Sequence, residues 1–137
     1  MIDQPVRDLL DRQPAGVLAT TRPDGTPRHS VVYFVLDGAR LLISTEPGRA
    51  KTRDVLRTGR ASLCVMGGAP PYPSVTLEGP ARIRTTGIGP HTAAVWSRIG
   101  GRQVEPLAEA DLAAMNRVIL EITVDRVYGA SYLGEAT

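Results

Sequence analysis

The sequence predicts a mainly β protein of the α+β class: a small antiparallel barrel of six strands with short flanking helices. Three observations carry this. Short segments rich in Val, Ile, Leu and Thr recur along the chain, turn signals join the first of them as hairpins, and helical spacing of apolar residues is confined to brief stretches. The 137 residues suffice for one domain, expected to span residues 1–137, and 42% hydrophobic content is that of a globular chain.

The elements follow in order. Val6, Leu9 and Leu10 recur at helical spacing within 4–13, stopped by Pro14 and Gly16. Residues 16–22 read as a strand, and Pro23-Asp24-Gly25 as the turn after it. Residues 28–36, with Val31, Val32, Tyr33, Phe34 and Val35, give the clearest strand signal. Asp37-Gly38 turns the chain into a strand over 40–45. A helix is expected over 48–58, closed by Gly59. The apolar run 61–66 predicts a strand buried on both faces, with Cys64 as a buried small hydrophobe. Residues 74–84 alternate, with Val75, Leu77, Gly79, Ala81 and Ile83 on one face, and Gly79-Pro80 suggests a bulge or an edge. Helical stretches follow around 91–99 and 106–116. The last strand, 118–127, places Val118, Leu120, Ile122 and Val124 inward and Glu121, Thr123 and Asp125 outward.

Charge is unevenly placed. Residues 22–60 hold eight basic and four acidic groups, a net +4, between flanks of −1 each. Lys51 is the sole lysine among 16 basic residues. Arg49, Lys51 and Arg53 fall where a helix begins, an end already positive from its free N–H groups, so each cation there costs about 0.3–1 kcal/mol unless an anion offsets it. Ser44 or Thr45 is expected as the cap, with Pro47 in the first turn. Amides, helix dipole and three cations predict an anion site, phosphate above all.

Other chemistry is sparse. His29 and His91 stand apart with no cysteine near either, so no metal site is expected, and Cys64 as the one cysteine rules out an internal disulfide. Trp96 reads as core or interface. No nucleophile elbow, Walker loop or dinucleotide fingerprint is present, the carboxylates form no evident pair, and no catalytic residue is named. An enzyme with these parts would take its chemistry from a cofactor. No apolar run approaches the roughly 20 residues that span a bilayer, and the first residues lack a signal-peptide layout, so a cytoplasmic protein without membrane contact is expected. Nucleic-acid binding is disfavoured by acidic flanks and 4% aromatics.

The run Gly16-Val17-Leu18-Ala19-Thr20-Thr21-Arg22-Pro23-Asp24-Gly25-Thr26-Pro27 resembles the opening hairpin of pyridoxamine 5′-phosphate oxidase-like proteins. Arg49-Ala50-Lys51-Thr52-Arg53-Asp54-Val55 is similar to the phosphate-binding helix of their actinobacterial branch that uses the deazaflavin F420. Arg60-Ala61-Ser62-Leu63, Leu77-Glu78-Gly79-Pro80-Ala81 and Val127-Tyr128-Gly129 follow in the expected order. The resemblance covers residues 5 to 130. It implies a six-stranded split β-barrel homodimer with cofactor sites at the interface. By the same resemblance, Ser30, Val31 and Val32 would lie along the flavin ring. Ser44, Thr45, Arg49, Ala50, Lys51, Thr52 and Arg53 would hold the phosphate end, where the charge pattern independently places an anion. Tyr33 and Tyr72 are candidates for the substrate pocket. Asp54-Val55 departs from the Asn-Leu frequent in relatives and sets a carboxylate beside the anion.

The implied activity is hydride transfer between reduced F420 and a small electron-poor substrate such as an enone or quinone. Five cations within 46–60 suit the longer anion of the deazaflavin, whose phosphodiester leads into a carboxylate-bearing tail. FMN is the alternative cofactor, in an oxidase or reductase of the same fold. A non-catalytic carrier of flavin, haem or tetrapyrrole is a further alternative.

Overall fold

The structure, a computed structural model, describes residues 2–133. Helix α1 (Gln4–Arg12) starts where the Asp3 carboxylate accepts the Val6 N–H at 3.3 Å, and it buries Val6, Leu9 and Leu10. Strands β1 (Ala15–Thr21) and β2 (Pro27–Tyr33) form the first hairpin, and β3 (Val35–Asp37) and β4 (Arg40–Thr45) the second. Helix α2 (Ala50–Thr58) ends on Gly59 in the left-handed conformation. Then come β5 (Arg60–Met66), β6 (Ser74–Arg84), α3 (Gly89–Gly100), α4 (Glu109–Ala114), β7 (Val118–Thr123) and β8 (Arg126–Ser131).

All pairings are antiparallel, in the order β2-β1-β5-β6-β7-β4-β3, with β8 also on β6. This curled sheet with few short helices is a split β-barrel. It has eight strands where six were expected, because two segments break. The run 28–36 divides at Phe34, whose ring is fully buried and whose N–H donates to the Pro14 carbonyl at 3.2 Å. The run 118–127 divides because Ile122 pairs with Ala81 and Arg126 with Glu78, so three residues of one strand face two of β6. Gly79 lies there, and a Cβ on it would overlap the Thr123 carbonyl oxygen. Pro80 marks the changeover on β6: pairing with β5 reaches it and pairing with β7 starts at Ala81.

The main core gathers Leu18, Leu63, Val65, Leu77, Leu41, Ile43, Leu120 and Phe34 inside the curl, with α1 packed against them. A second cluster, Leu42, Ile88, Leu112 and Ile119, lies on the other side of β4 and β7 under α3 and α4. The doubly buried strands are therefore β4 and β7, and β5 alternates, with Cys64 and Met66 exposed. The expected burial of Cys64 is corrected: no helix covers that face of β5 among the described residues. Glu121, expected outward, is 2% exposed and meets Arg40, Arg82 and Arg84 at 3.2, 2.7 and 3.3 Å. Burial disfavours its charge, but the arginines outweigh that and hold its carboxyl below the usual range.

Two polar anchors set the helices that border the site. Asp54, buried in α2, accepts from the Thr20 hydroxyl at 2.9 Å, Arg28 Nε at 2.7 Å and Arg57 Nη2 at 3.2 Å, which ties α2 to β1 and β2. Burial opposes this charge too, and these donors overcome it, so its carboxyl titrates low. Arg98, in the last turn of α3, donates to the carbonyls of Leu10, Gln13 and Phe34 at 2.9, 2.9 and 3.0 Å and lies over the Phe34 ring.

Candidate functional site

The expected cap of α2 does not form. Its N-cap is Arg49 rather than Ser44 or Thr45, and no side chain caps it. Both threonines nearby are buried: Thr52 Oγ1 donates to the Glu46 carbonyl at 2.8 Å and lies 3.5 Å from Thr45 Oγ1. Thr52 holds the turn, and its hydroxyl proton is committed to it. No acidic residue sits in the first turn of α2, and the N–H groups of Ala50 and Lys51 make no backbone hydrogen bond among the described residues. A free positive helix end with added cations is left.

Beside it a cavity of about 150 Å³ opens between β2, β4, α2 and α3. Val31, Val32, Tyr33, Ser44 and Lys51, all named from sequence, line one part of it. Val95, Trp96, Ile99 and Arg117, not named as site residues, line the rest. One side is apolar and aromatic, the other cationic. A second, larger groove of about 290 Å³ runs along Thr21, Pro27, Arg60, Ser62 and Glu78 and includes none of the expected site residues.

The charges of the smaller cavity are unbalanced. The Lys51 ammonium has no hydrogen-bond or ion-pair partner among the described residues, and burial first, then repulsion from Arg49 and Arg117, lowers its pKa against the opposing pull of Glu46. Arg117 comes from the turn before β7. Its Nη2 donates to the Ser44 hydroxyl at 2.7 Å, its Nη1 lies 3.4 Å from a Glu46 oxygen, and its carbon stands 5.7 Å from the Trp96 ring centre. Its Nε is buried without a partner. Two crowded cations, one with an orphaned donor, fit a phosphate and leave the apolar wall for a flat ring.

The remaining expected residues lie around this centre or away from it. Arg49 pairs with Glu46 at 3.6 Å, and Arg53 donates to the Gly48 carbonyl at 2.6 Å, both exposed. Ala50 begins α2 next to Lys51. Ser30 neighbours Val31 on β2, opposite Leu18, without lining the cavity. Tyr72 sits exposed with a left-handed φ of 55° in the loop before β6, and it does not line the cavity that Tyr33 borders. Asp54 turns toward β1 and β2, where Arg28 and Arg57 neutralise it, and it places no free carboxylate at the anion site. Arg117 and Trp96 escaped sequence reading because each stands alone, far along the chain from the basic cluster.

Comparison with known proteins agrees with this architecture. The family model for pyridoxamine 5′-phosphate oxidase matches residues 2–131. A solved F420 reductase is 28% identical with a TM-score of 0.73, over 89% of this chain and 94% of that one. A conserved hypothetical protein from Mycobacterium tuberculosis has a TM-score of 0.75 at 23% identity, over 93% of this chain and 82% of that one. General Stress Protein 26 from Bacillus anthracis has a TM-score of 0.65 at 18% identity, over 90% of this chain and 89% of that one. These last two likenesses concern the fold. With the split barrel and a match that runs through nearly all of the described residues, the chain belongs to the pyridoxamine 5′-phosphate oxidase family.

Proposed function

We propose that the cavity between β2, β4, α2 and α3 holds the phosphorylated end of deazaflavin F420 and that the protein is an oxidoreductase using it. The observation that carries this reading is the unpaired Lys51 ammonium beside the orphaned Arg117 Nε, at the foot of an apolar and aromatic wall. Lys51, Arg117, Ser44 and the free amides of α2 would hold the phosphate. Arg49 and Arg53, exposed at the same helix start, would meet an acidic tail. Val31, Val32 and Trp96 would border the ring and exclude water. When bound, the reduced deazaflavin supplies a hydride. The likeness to an F420 reductase supports this cofactor over FMN.

The cavity is too small to enclose a flavin-sized ligand, since such sites run to about 300–1,000 Å³. Beside it Val31 is 79% exposed, and Val17, Tyr33 and Met66 are exposed on the same sheet. A second copy of the chain laid on this face would complete the wall, so the functional unit is a homodimer with shared sites. Tyr33 borders the open side, where a small electron-poor substrate would enter.

The test titrates purified protein with F420 and with FMN, followed by the emission of Trp96, the single tryptophan. Quenching by F420, and turnover of its reduced form by a panel of enones and quinones, is expected. Tight FMN binding without F420 binding would replace the cofactor; binding without turnover would make the protein a carrier.

A further inference from the structure

One group at the anion site carries the wrong sign for it. A Glu46 oxygen lies 3.4 Å from Arg117 Nη1 and 3.6 Å from Arg49 Nη2, and its field acts on the Lys51 ammonium as well. The local turn is held by the Glu46 backbone, whose carbonyl accepts the Arg49 N–H at 3.2 Å and the Thr52 hydroxyl at 2.8 Å. The carboxylate itself remains 41% exposed among cations. An anion approaching Lys51 and Arg117 therefore meets a negative charge already on the same guanidinium. We propose that Glu46 is a specificity-determining residue that biases the site toward a singly charged phosphodiester and against a doubly charged phosphate monoester.

This bias rests on the cofactor reading above and on charge at the phosphate alone. At neutral pH a phosphate monoester carries close to two negative charges, because its second pKa is about 6, whereas a diester carries one. Every cation of the site rewards the extra charge, and Glu46 opposes it in proportion. In this half-exposed setting, at roughly 5 Å, the opposition amounts to about five- to tenfold in Kd per unit of ligand charge. At the phosphate itself FMN presents a monoester and the deazaflavin a diester, so it is at that position that Glu46 acts on the choice between them.

The experiment compares FMN with its methyl phosphodiester, which keeps the ring and removes one charge. Kd is measured by Trp96 emission for the parent protein and for Glu46→Gln, Glu46→Ala and Glu46→Asp. Both neutral variants should bind both ligands more tightly and lower the ratio of the FMN to the methyl ester Kd about five- to tenfold. Glu46→Asp, which retains the charge, should stay within about twofold of the parent ratio. A ratio that moves less than twofold in the neutral variants, with both ligands bound and the melting temperature kept, would overturn this inference alone. Failure of the parent protein to bind F420 would overturn the cofactor reading and this inference with it, whereas F420 binding with neither FMN ligand bound would overturn this inference alone, since discrimination would then lie at the ring.

Discussion

Replacing Lys51 with methionine should move stability and anion binding in opposite directions. In the free protein the ammonium is partly desolvated, close to Arg49 and Arg117, and set at the positive end of α2. Removing such a cation should relieve about 0.5 kcal/mol, or about 2 °C in melting temperature for a chain of this size. The same ammonium facing a phosphate at about 4 Å, with an effective dielectric near 40 for a half-exposed site, contributes about 2 kcal/mol, or about thirtyfold in Kd. The pH dependence has a definite sign. Because the folded pKa lies below the ordinary 10.5, the folded state binds fewer protons than the unfolded one between these two values. The stability due to Lys51 therefore rises with pH across that window, and Lys51→Met should lack the rise. Scanning calorimetry from pH 7 to 11, beside F420 and FMN titrations, tests both halves. A variant that melts several degrees lower while keeping its affinity would refute the reasoning, since Lys51 would then be a structural residue.

Four further outcomes follow from the geometry. Glu121→Gln leaves three arginines facing a neutral group and should cost about 2–3 kcal/mol in urea denaturation; a change under about 0.5 kcal/mol would mean the pairs are solvent-screened. The carboxyls of Asp54 and Glu121 titrate below their ordinary 3.8 and 4.5, so their contribution is present above those values and is lost as pH falls through the lower folded pKa values. An acid titration of Asp54→Asn should show a shallower loss than the parent below about pH 4, and an identical slope would count against it. Gly79→Ala should destabilise by roughly 3 kcal/mol or prevent folding, because the obstacle is the Thr123 backbone; recovery of a soluble protein with the parent's melting temperature would contradict the close approach. Arg117→Met should weaken F420 binding at least tenfold while preserving the near-ultraviolet circular dichroism of Trp96, and unaltered affinity would remove Arg117 from the site.

Much of the candidate site was legible because its parts are local in sequence. Val31, Val32 and Tyr33 share one strand, Ser44 lies near the end of another, and Lys51 falls in the first turn of the helix between them and β5, so strand period and helix polarity suffice to bring them together. What sequence could not supply was partnership at a distance. Glu121 alternates as an outward residue should, yet Arg40, Arg82 and Arg84 on the neighbouring β4 and β6 neutralise it, and helices close over that side of the sheet. Arg117 sits alone at 117 and becomes a site residue only because β7 pairs with β4 and sets it beside Ser44. The apolar run of β5 misled for the converse reason: its outer residues are small or soft but have no cover within the described chain. Asp54 looked like a charge misplaced at the anion site, and the fold instead turns it to the far side of α2 as a tether.

The guanidinium of Arg98 makes the opening segment of the chain a remote part of the cavity. Carbonyls at the end of α1 and at the β2–β3 break converge on it, and one turn earlier on the same helix, Val95 and Trp96 form the apolar wall. Unravelling α1 would take acceptors away from a half-buried cation and loosen the seat of α3 on the barrel. Changes made to tidy the first dozen residues, such as trimming or a fused tag that strains the helix, would register as loosened ligand binding before any loss of the sheet.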